Sequence, residues 1–503
     1  MISIRFGVLL TLGALLVPAQ GLRDYEGKVT EFTLANGFHF LILERHQAPV
    51  ISFHTYLNAG SAEDPAGRTG LASLIARLAF DGTESIGTKN WPEEKKALEA
   101  VEAAFDRMDV EREKGVSASA GASAVLQAGE SSALADAFPL QNPDEYRRAI
   151  QENGGVALES HATPDSIETS YSLPSNRIEL WFLLESQRLA HPVFRDFYRE
   201  RSKQLEEVAY LLDARSQARV RQALLSAAFD NLSYRNPVLG WPADVNALRA
   251  GDAKAFLDIY GGPGNIVIAL VGDVDPASAR RLADRYFAPI PARPPAPRMR
   301  SLELPQSGPK TIAVWSDGQP YLIVGYKRPP ETHRDDPAFD LIATILGDPE
   351  IGWLHQELVE RKEIAQSAEA LSDFPAGRYA NLFVVAVTPA RNHTVEEAQK
   401  AIDEMVARLQ SRPVDAATLA HVKNTTRGRY LRLLGSNQRL AALLTDFQAN
   451  YGDWHKLFSV ADGYERVSAE AVQRVALEYL APAARTVAYL TNAPPTANRG
   501  GLQ

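Results

Sequence analysis

The chain has 503 residues, no cysteine and a formal net charge of −9. Without cysteine, the protein has no disulfide, no thiolate metal ligand and no cysteine nucleophile. The acidic balance argues against nucleic acid as a partner, because a surface that binds phosphates needs an excess of lysine and arginine. Apolar residues make up 45 % of the chain. That share is ordinary for a globular protein, and the length allows two or more domains.

The N-terminal segment Met1–Gly21 has the pattern of a secretory signal peptide. Arg5 supplies a positive charge, and the apolar run Phe6–Val17 is too short to span a bilayer. A short membrane anchor is the alternative interpretation. No later segment approaches the length of a membrane span. We therefore expect an exported protein with no membrane span after signal cleavage, periplasmic if the source is Gram-negative and otherwise secreted.

Alternating apolar residues predict three strands near the N-terminus. Val29–Leu34 and Phe38–Glu44 form a predicted hairpin around Asn36 and Gly37. Val50–Leu57 is the third strand, and a turn of small residues follows it.

The stretch Gly70–Thr83 predicts an amphipathic helix, because apolar residues recur at i, i+3, i+4 and i+7. These residues are Leu71, Leu74, Ile75 and Leu78. We expect Thr69 to cap the helix at its N-terminus and Gly82 to end it.

Three further segments bear on domain organisation. Asn90–Lys114 predicts a long helix, whereas Val116–Phe138 is rich in alanine, serine and glycine and predicts a loosely ordered or weakly helical segment. Pro289–Pro305 is proline-rich and predicts a stiff linker. The predicted division is a signal peptide over 1–21, an N-terminal domain over 22–288 with a helical insertion at about 90–141, a linker over 289–308, a C-terminal domain over 309–495 and a tail over 496–503.

The second half of the chain shows signs of repeating the first. Tyr260 and Tyr479 each end a helical segment that precedes an apolar strand, and they are 219 residues apart. The triplets that begin at Asp64 and Asp336 both read Asp-Pro-Ala before an apolar helix, and they are 272 residues apart. The larger spacing implies about fifty extra residues in the first half, which we place in the helical insertion.

The Gly70–Thr83 stretch resembles the active-site helix of the pitrilysin/insulinase family of zinc peptidases, which reads G-L-A-H-x-x-E-H-x-x-F-x-G-T. The positions that match are Gly70, Leu71, Ala72, Phe80, Gly82 and Thr83. Ser73, Ala76 and Arg77 stand where the family has its first histidine, its glutamate and its second histidine. Serine is a poor zinc ligand, alanine accepts no proton, and arginine brings a positive charge to the place of the ion. We therefore expect no catalytic residue and no zinc at these positions.

The family's third zinc ligand is a glutamate within E-R-x-x-V-x-x-E. Glu200 and Glu207 fit this pattern, with Gln204 at the valine position. Residues at i and i+7 lie on one face of a helix, so Glu207 is expected to face Ser73 and Arg77. Our hypothesis is that Arg77 pairs with Glu207 and replaces the zinc ion electrostatically; the alternative is that both glutamates are solvated helix charges. The family also has an asparagine in the strand nearby, and Glu159 stands there.

The second half of family members often supplies an arginine and a tyrosine, seven residues apart, that hold the substrate. The matching positions here are Val359 and Gln366, so this pair is also degenerate, and Arg361 is out of register. No His-x-x-x-His pair occurs in the chain. His161 and His355 are expected to be structural or exposed rather than metal-ligating.

The resemblance implies an α+β fold with two homologous domains, each an antiparallel-rich sheet with helices on one face, closed like a clamshell. It implies a catalytically inactive homologue that pairs with an active zinc peptidase subunit and helps form a chamber for a peptide or an unfolded protein segment. A stand-alone peptide-binding or scaffold protein is the alternative, and an active metallopeptidase with an unrecognised metal site is a third possibility. No cofactor is expected, although active relatives carry zinc.

Overall fold

The computed structural model describes residues 25–299 and 303–492. The predicted signal peptide, Met1–Gly21, and the predicted tail, 496–503, lie outside these ranges. The described chain is an α+β fold with two sheets and many helices. Among the described helices, none is both long enough and apolar enough to cross a lipid bilayer.

Within the described residues, the first half of the chain contains a six-stranded sheet and ten α-helices. Its strands are β1 (Val29–Thr33), β2 (His39–Glu44), β3 (Val50–Leu57), β4 (Val156–Ala162), β5 (Ile167–Pro174) and β6 (Ile266–Gly272). Its helices are α1 (Leu71–Arg77), α2 (Trp91–Glu113), α3 (Ala120–Ala137), α4 (Glu145–Glu152), α5 (Ile178–Ala190), α6 (Phe197–Ala214), α7 (Ser216–Ala228), α8 (Pro242–Ala247), α9 (Ala250–Tyr260) and α10 (Pro276–Tyr286). The strand order is β1-β2-β6-β3-β5-β4.

The second half contains a five-stranded sheet and six α-helices. Its strands are β7 (Lys310–Trp315), β8 (Leu322–Arg328), β9 (Ala365–Leu371), β10 (Asn381–Pro389) and β11 (Arg485–Thr491). Its helices are α11 (Asp336–Gly347), α12 (Val395–Ser411), α13 (Ala416–Leu433), α14 (Asn437–Tyr451), α15 (Lys456–Arg466) and α16 (Ala469–Tyr479), with a π-helical turn over His355–Arg361. The strand order is β7-β11-β8-β10-β9.

The two sheets share one topology. In each, a parallel pair, β2 with β6 or β7 with β11, is continued by three antiparallel strands. The order β2-β6-β3-β5-β4 therefore corresponds to β7-β11-β8-β10-β9, and β1 is additional. Between β3 and β4 the first half has α2 and α3, which have no counterpart between β8 and β9. The alanine-rich segment is thus a regular helix of 18 residues packed on α2, not a loosely ordered one.

Each half contributes one helix to the sheet of the other half. Helix α14 packs on β3 and β6, and helix α7 packs on β7, β8 and β11. Leu440 and Leu444 of α14 are buried in the same apolar cluster as Leu41 and Val271 of the first sheet. Leu224 of α7 is buried among residues of the second sheet. Apolar burial is the main force that stabilises a fold, so the stability of each half depends on the other.

Candidate functional site

Helix α1, which carries the degenerate zinc motif, begins differently from the prediction. Its N-cap is Gly70, whose φ of 89° is left-handed and therefore favours glycine. The Asp64 carboxylate accepts hydrogen bonds from the backbone N–H groups of Gly70 and Ala72, at 2.8 and 2.9 Å. The predicted cap Thr69 is wrong, because its hydroxyl instead donates to Asp244 at 2.7 Å. Asp64 takes the capping role from outside the helix.

The C-terminus of α1 also differs from the prediction. The helix ends at Arg77, so Gly82 does not end it. Leu78 and the residues after it form a turn, and Gly82 reverses the chain beyond that turn with a φ of 106°. The predicted apolar face is confirmed: Leu71, Leu74, Ile75 and Leu78 are buried.

Helix α6 is joined to the start of α1 by a buried amide. The Gln204 side-chain amide donates to the carbonyl oxygens of Gly70 and Leu239, both at 2.9 Å. A valine at this position would leave both carbonyls without this donor. The sequence indicated only that Gln204 departs from the family pattern. Its role in joining the segments at Gly70 and Leu239 to α6 is seen only in the folded chain.

Arg77 and Glu207 lie together, as the spacing of the two motifs predicted. The Arg77 Nη2 group donates to Glu207 Oε2. Arg77 Nη1 lies 3.9 Å from Glu200 Oε2, and Lys203 Nζ lies 2.6 Å from the other Glu200 oxygen. A single guanidinium thus faces both carboxylates of the degenerate ligand pattern.

This ion pair is partly exposed to solvent. The Glu207 side chain is 44 % exposed and the Arg77 side chain 26 %. Exposed pairs contribute only about 0.2–1 kcal/mol to stability, because water already solvates both charges. The pair therefore neutralises and orients the two groups without contributing much to the free energy of unfolding.

A carboxylate behind α1 adds to the charge of this region. Burial raises the pKa of Asp81, and together with the nearby carboxylates of Asp196 and Glu200 it brings that pKa to about 7. The backbone N–H of Asp196 donates to Asp81 at 3.1 Å and works in the opposite direction.

An open groove of about 490 Å³ runs beside Arg77. It is bounded by α1, α4, α6 and strand β4 and is lined by Ala76, Arg77, Phe80, Arg147, Leu158, Glu159, Ser160, His161 and Glu200. The guanidinium of Arg147 lies 5.3 Å from the centre of the Phe80 ring, which is a cation–π distance. The groove therefore combines two arginines, two glutamates and a small apolar surface.

Strand β4 forms one wall of the groove and is the last strand of its sheet. Within the described chain no strand pairs with its outer edge. A bulge between Val156 and Glu159 bends the strand, and Ala157 has a φ of 53°. An unpaired strand edge offers backbone N–H and C=O groups to a further extended segment.

The remaining predicted site residues are partly gathered here. Ala76, Glu159 and Glu200 line the groove, whereas Ser73 is buried beneath it and only 7 % exposed. His161 Nε2 lies 3.8 Å from Glu168 Oε2, and the imidazole is largely exposed.

The degenerate positions of the second half lie elsewhere. Val359 is in the π-helical turn and Gln366 is on β9, and neither lines the groove. His355 lies 3.6 Å from Glu360, and Glu357 lies 2.9 Å from Lys362. These contacts are local to the second half, and that of Glu357 with Lys362 is an ion pair.

The residues at the degenerate motif do not fit a zinc ion. Zinc prefers histidine, cysteine and carboxylate ligands in tetrahedral geometry. Of the family's ligand positions only Glu207 has such a group, and its oxygen accepts from Arg77. A cation at the second histidine position repels a metal ion. In the described residues, no cluster of three or more histidines, aspartates and glutamates could hold a metal.

Comparisons with known proteins find similarity to peptidases. Residues 247–426 match the family model described as the peptidase M16 inactive domain. The zinc protease PqqE of Helicobacter pylori is 25 % identical over 490 residues, which cover 96 % of each chain. Over residues 247–426 the chain is therefore similar to the M16 peptidases. M16 is the pitrilysin/insulinase family of the sequence resemblance.

Solved structures show the same fold for this chain. A protease from Helicobacter pylori aligns with a TM-score of 0.77 at 20 % identity, covering 92 % of this chain and 99 % of that one. The periplasmic protease PqqL from Escherichia coli aligns with a TM-score of 0.68 at 12 % identity, covering 93 % of this chain and 48 % of that one. The predicted two-domain α+β fold is confirmed.

Proposed function

We propose that this M16 homologue is a non-catalytic subunit that pairs with an active zinc peptidase and helps form a chamber for peptide. The observation that carries the proposal is the Arg77–Glu207 contact, which puts a tethered positive charge at the family's metal position. The site keeps the helices of a peptidase site, but with Ser73, Ala76 and Arg77 it has neither a set of metal ligands nor a general base. The chain binds no zinc there.

The peptide-binding part of the proposal is supported by the edge of strand β4. An extended peptide can add to this edge through backbone hydrogen bonds, and its side chains alternate between the groove and solvent. Leu158 and Phe80 offer apolar contact, whereas Arg147 and Glu159 offer charged contacts at the same wall. Such a surface binds segments of varied sequence, since backbone groups supply most of the hydrogen bonds.

Export is the third part of the proposal. The predicted signal peptide directs the chain out of the cytoplasm, and the relative PqqL is described as periplasmic. An exported peptidase subunit would be its partner in that compartment.

Native co-purification tests the pairing. The tagged chain is isolated from its source, and proteins present in equal amount are identified by mass spectrometry. We expect a peptidase with an intact His-x-x-Glu-His motif. Recovery of the chain alone would favour the stand-alone peptide-binding protein.

Peptide binding is tested by a substitution on β4, with a matched control substitution on the second sheet. Leu158→Glu on β4 is expected to weaken binding of an unfolded protein segment, because it places a charge on the apolar wall of the groove. Leu371→Glu makes the same change on β9, the corresponding edge strand, where Leu371 is 37 % exposed. Equal binding by both variants would contradict a site at β4.

A further inference from the structure

A second cavity lies on the helix-covered side of the first sheet, apart from the groove. Its volume is about 470 Å³, which is within the range of about 300–1,000 Å³ usual for small-molecule sites. One wall is α2, which has no counterpart in the second half. Other walls come from α1, α9 and the segment after α5. The cavity is therefore large enough to hold a small molecule.

The interior of this cavity is mainly aliphatic. Buried aliphatic side chains form the walls at the sheet and the adjoining helices, and they include Leu57, Ile75, Leu78, Val101, Ile167 and Ile266. Leu98 of α2 and Leu257 of α9 are half-buried and line two further parts of the wall. An aliphatic molecule placed here would exchange water for close apolar contact, which is favourable in proportion to the area covered.

The polar side chains of the interior are already bonded within the protein. Arg188 donates to both Glu185 oxygens, at 2.6 and 2.8 Å, and to the Thr169 hydroxyl at 3.0 Å. Tyr198 donates to Glu102 at 2.7 Å. Among the described residues, no buried side-chain polar atom that lacks a hydrogen-bond partner belongs to the lining of this cavity. A polar group of a ligand would lose its bonds to water here without gaining equivalent bonds, so the buried part of the ligand gains most by being apolar.

The charged side chains of the lining do not favour a ligand of either sign. Two arginines of the lining are each paired with a buried glutamate. The remaining charges are four carboxylates and three cations, namely Glu84, Glu99, Glu102 and Asp258 against Lys95, Lys254 and Arg293. A charged ligand would meet attractive and repulsive groups in nearly equal number, and most of these groups are solvated at the mouth of the cavity. The lining therefore gives no net advantage to a charge on the ligand.

We infer that this cavity is a binding site for an uncharged aliphatic molecule of the long-chain alcohol or hydrocarbon class. The aliphatic chain lies against the buried side chains of the sheet and of α1. A single hydroxyl group of the ligand can remain in contact with water at the mouth. The site is separate from the groove at Arg77, although α1 forms part of both.

Calorimetric titration of the full chain with three probes tests the class of ligand. The probes are 1-decanol, decanoate and decyltrimethylammonium, which share one alkyl chain and differ in charge. We expect saturable binding of 1-decanol that is at least as tight as that of either charged probe, because apolar contact supplies the affinity. The inference would be overturned by an absence of saturable 1-decanol binding, or by a charged probe that binds about tenfold or more tightly than 1-decanol.

The position of the site is tested with two matched leucines. Leu98 of α2 and Leu126 of α3 are both half-buried, and of the two only Leu98 lines the cavity. We expect Leu98→Asn to weaken 1-decanol binding by about tenfold or more and Leu126→Asn to leave it unchanged. Leu257→Asn repeats the test from α9, so that the site can still be tested if Leu98→Asn does not fold. Unchanged binding by a folded variant of the lining, or equal weakening by Leu126→Asn, would overturn the site.

Reversal of the two lysine charges tests whether charge contributes to recognition. The double variant Lys95→Glu/Lys254→Glu is expected to bind 1-decanol as the parent chain does, because neither ammonium group is needed to hold an uncharged molecule. A loss of about tenfold or more in the affinity of this variant for 1-decanol would contradict recognition by apolar contact.

Vesicles of phosphatidylcholine distinguish a free aliphatic molecule from the acyl chain of a membrane lipid. Binding of monomeric 1-decanol without vesicle flotation supports the inferred ligand. Flotation without binding of the monomer would overturn it in favour of a membrane lipid.

Discussion

Arg77 differs from a bound zinc ion because its charge is covalently attached to the helix and cannot be removed. Its guanidinium donates to Glu207 and lies 3.9 Å from Glu200, so the carboxylate pattern of the family keeps a cationic partner. Arginine stays protonated at every physiological pH and cannot activate water. We propose that the substitution keeps one positive charge beside these carboxylates, where Zn²⁺ would carry two, and removes the zinc chemistry.

Restoring the three missing groups should restore the metal. The variant Ser73→His/Ala76→Glu/Arg77→His is expected to bind about one zinc ion per chain, because i and i+4 histidines share a helix face with Glu207 opposite. Zinc content after dialysis measures this. Adding Glu207→Gln to the triple variant should weaken zinc binding. A folded triple variant that binds no zinc would show that helices α1 and α6 no longer hold these positions in a metal-binding geometry.

The two ion pairs that anchor α1 and its flanking loop should differ strongly in their effect on stability. Arg77→Ala is expected to cost about 0.2–1 kcal/mol, since its pair is exposed. Arg195→Ala is expected to cost about 3–5 kcal/mol, because the Arg195–Glu94 pair is almost fully buried and Glu94 would lose its partner. Urea unfolding of the two variants measures the difference. Similar losses would contradict the assigned burial.

The sequence predicted which residues meet where the spacing within two motifs placed them on facing helix surfaces. It did not predict how exposed those residues are. The i and i+7 spacing of Glu200 and Glu207 placed Glu207 beside Arg77. The exposure of that pair depends on what else covers the groove, which the sequence does not state. The role of Gln204 required Gly70 and Leu239 to meet, and they lie far apart in the chain.

At the scale of the element, helix α1 is defined by contacts outside its own sequence. Its start is fixed by Asp64, by the left-handed Gly70 and by the close approach of residues 237–240. The apolar period continued through Leu78, so periodicity alone predicted a longer helix. For helix α3 the sequence left a loosely ordered and a weakly helical segment open, because its composition is weakly amphipathic; packing on α2 selects the helix.

Substitutions at two glycines before α1 allow the cost of backbone strain to be compared with the cost of a steric clash. A Cβ on Gly70 would lie 2.5 Å from the Leu239 carbonyl oxygen, whereas one on Gly67 meets nothing within 4 Å. Both residues have positive φ, so Gly67→Ala is expected to cost about 1–2 kcal/mol from strain alone. Gly70→Ala is expected to exceed about 3 kcal/mol. Chemical denaturation measures both values, and equal losses would contradict close packing at Gly70.

At the scale of the whole molecule, the halves are interlocked by α7 and α14 and by a polar network between them. Arg378 of the second half donates to the Tyr56 hydroxyl at 3.0 Å, and its backbone N–H donates to Asp165 at 3.1 Å. The repeat itself was predictable from two short sequence matches. The exchange of helices was not, because the apolar face of a helix does not specify which sheet it packs on.

This interface should make stability depend on pH. Burial raises the pKa of Glu63 from 4.5 to about 7 and also raises the pKa values of Glu331 and Asp446. In the folded chain these groups stay protonated until the pH approaches about 7, whereas in the unfolded chain they lose their protons near pH 4. Their contribution to the free energy of unfolding is therefore complete below about pH 4 and is lost as the pH rises through about 7. Glu63→Gln should flatten the pH dependence of the melting temperature, whereas Glu113→Gln, an exposed control, should not. A Glu63→Gln profile identical to that of the parent chain would contradict this assignment.

The zinc content of the chain isolated from its source, measured with its peptide cleavage before and after chelation, tests most directly whether Arg77 has replaced the metal. We predict zinc far below one ion per chain and no cleavage that a chelator removes. About one zinc ion per chain, together with cleavage lost on chelation and recovered on adding zinc, would contradict the replacement and establish an active metallopeptidase.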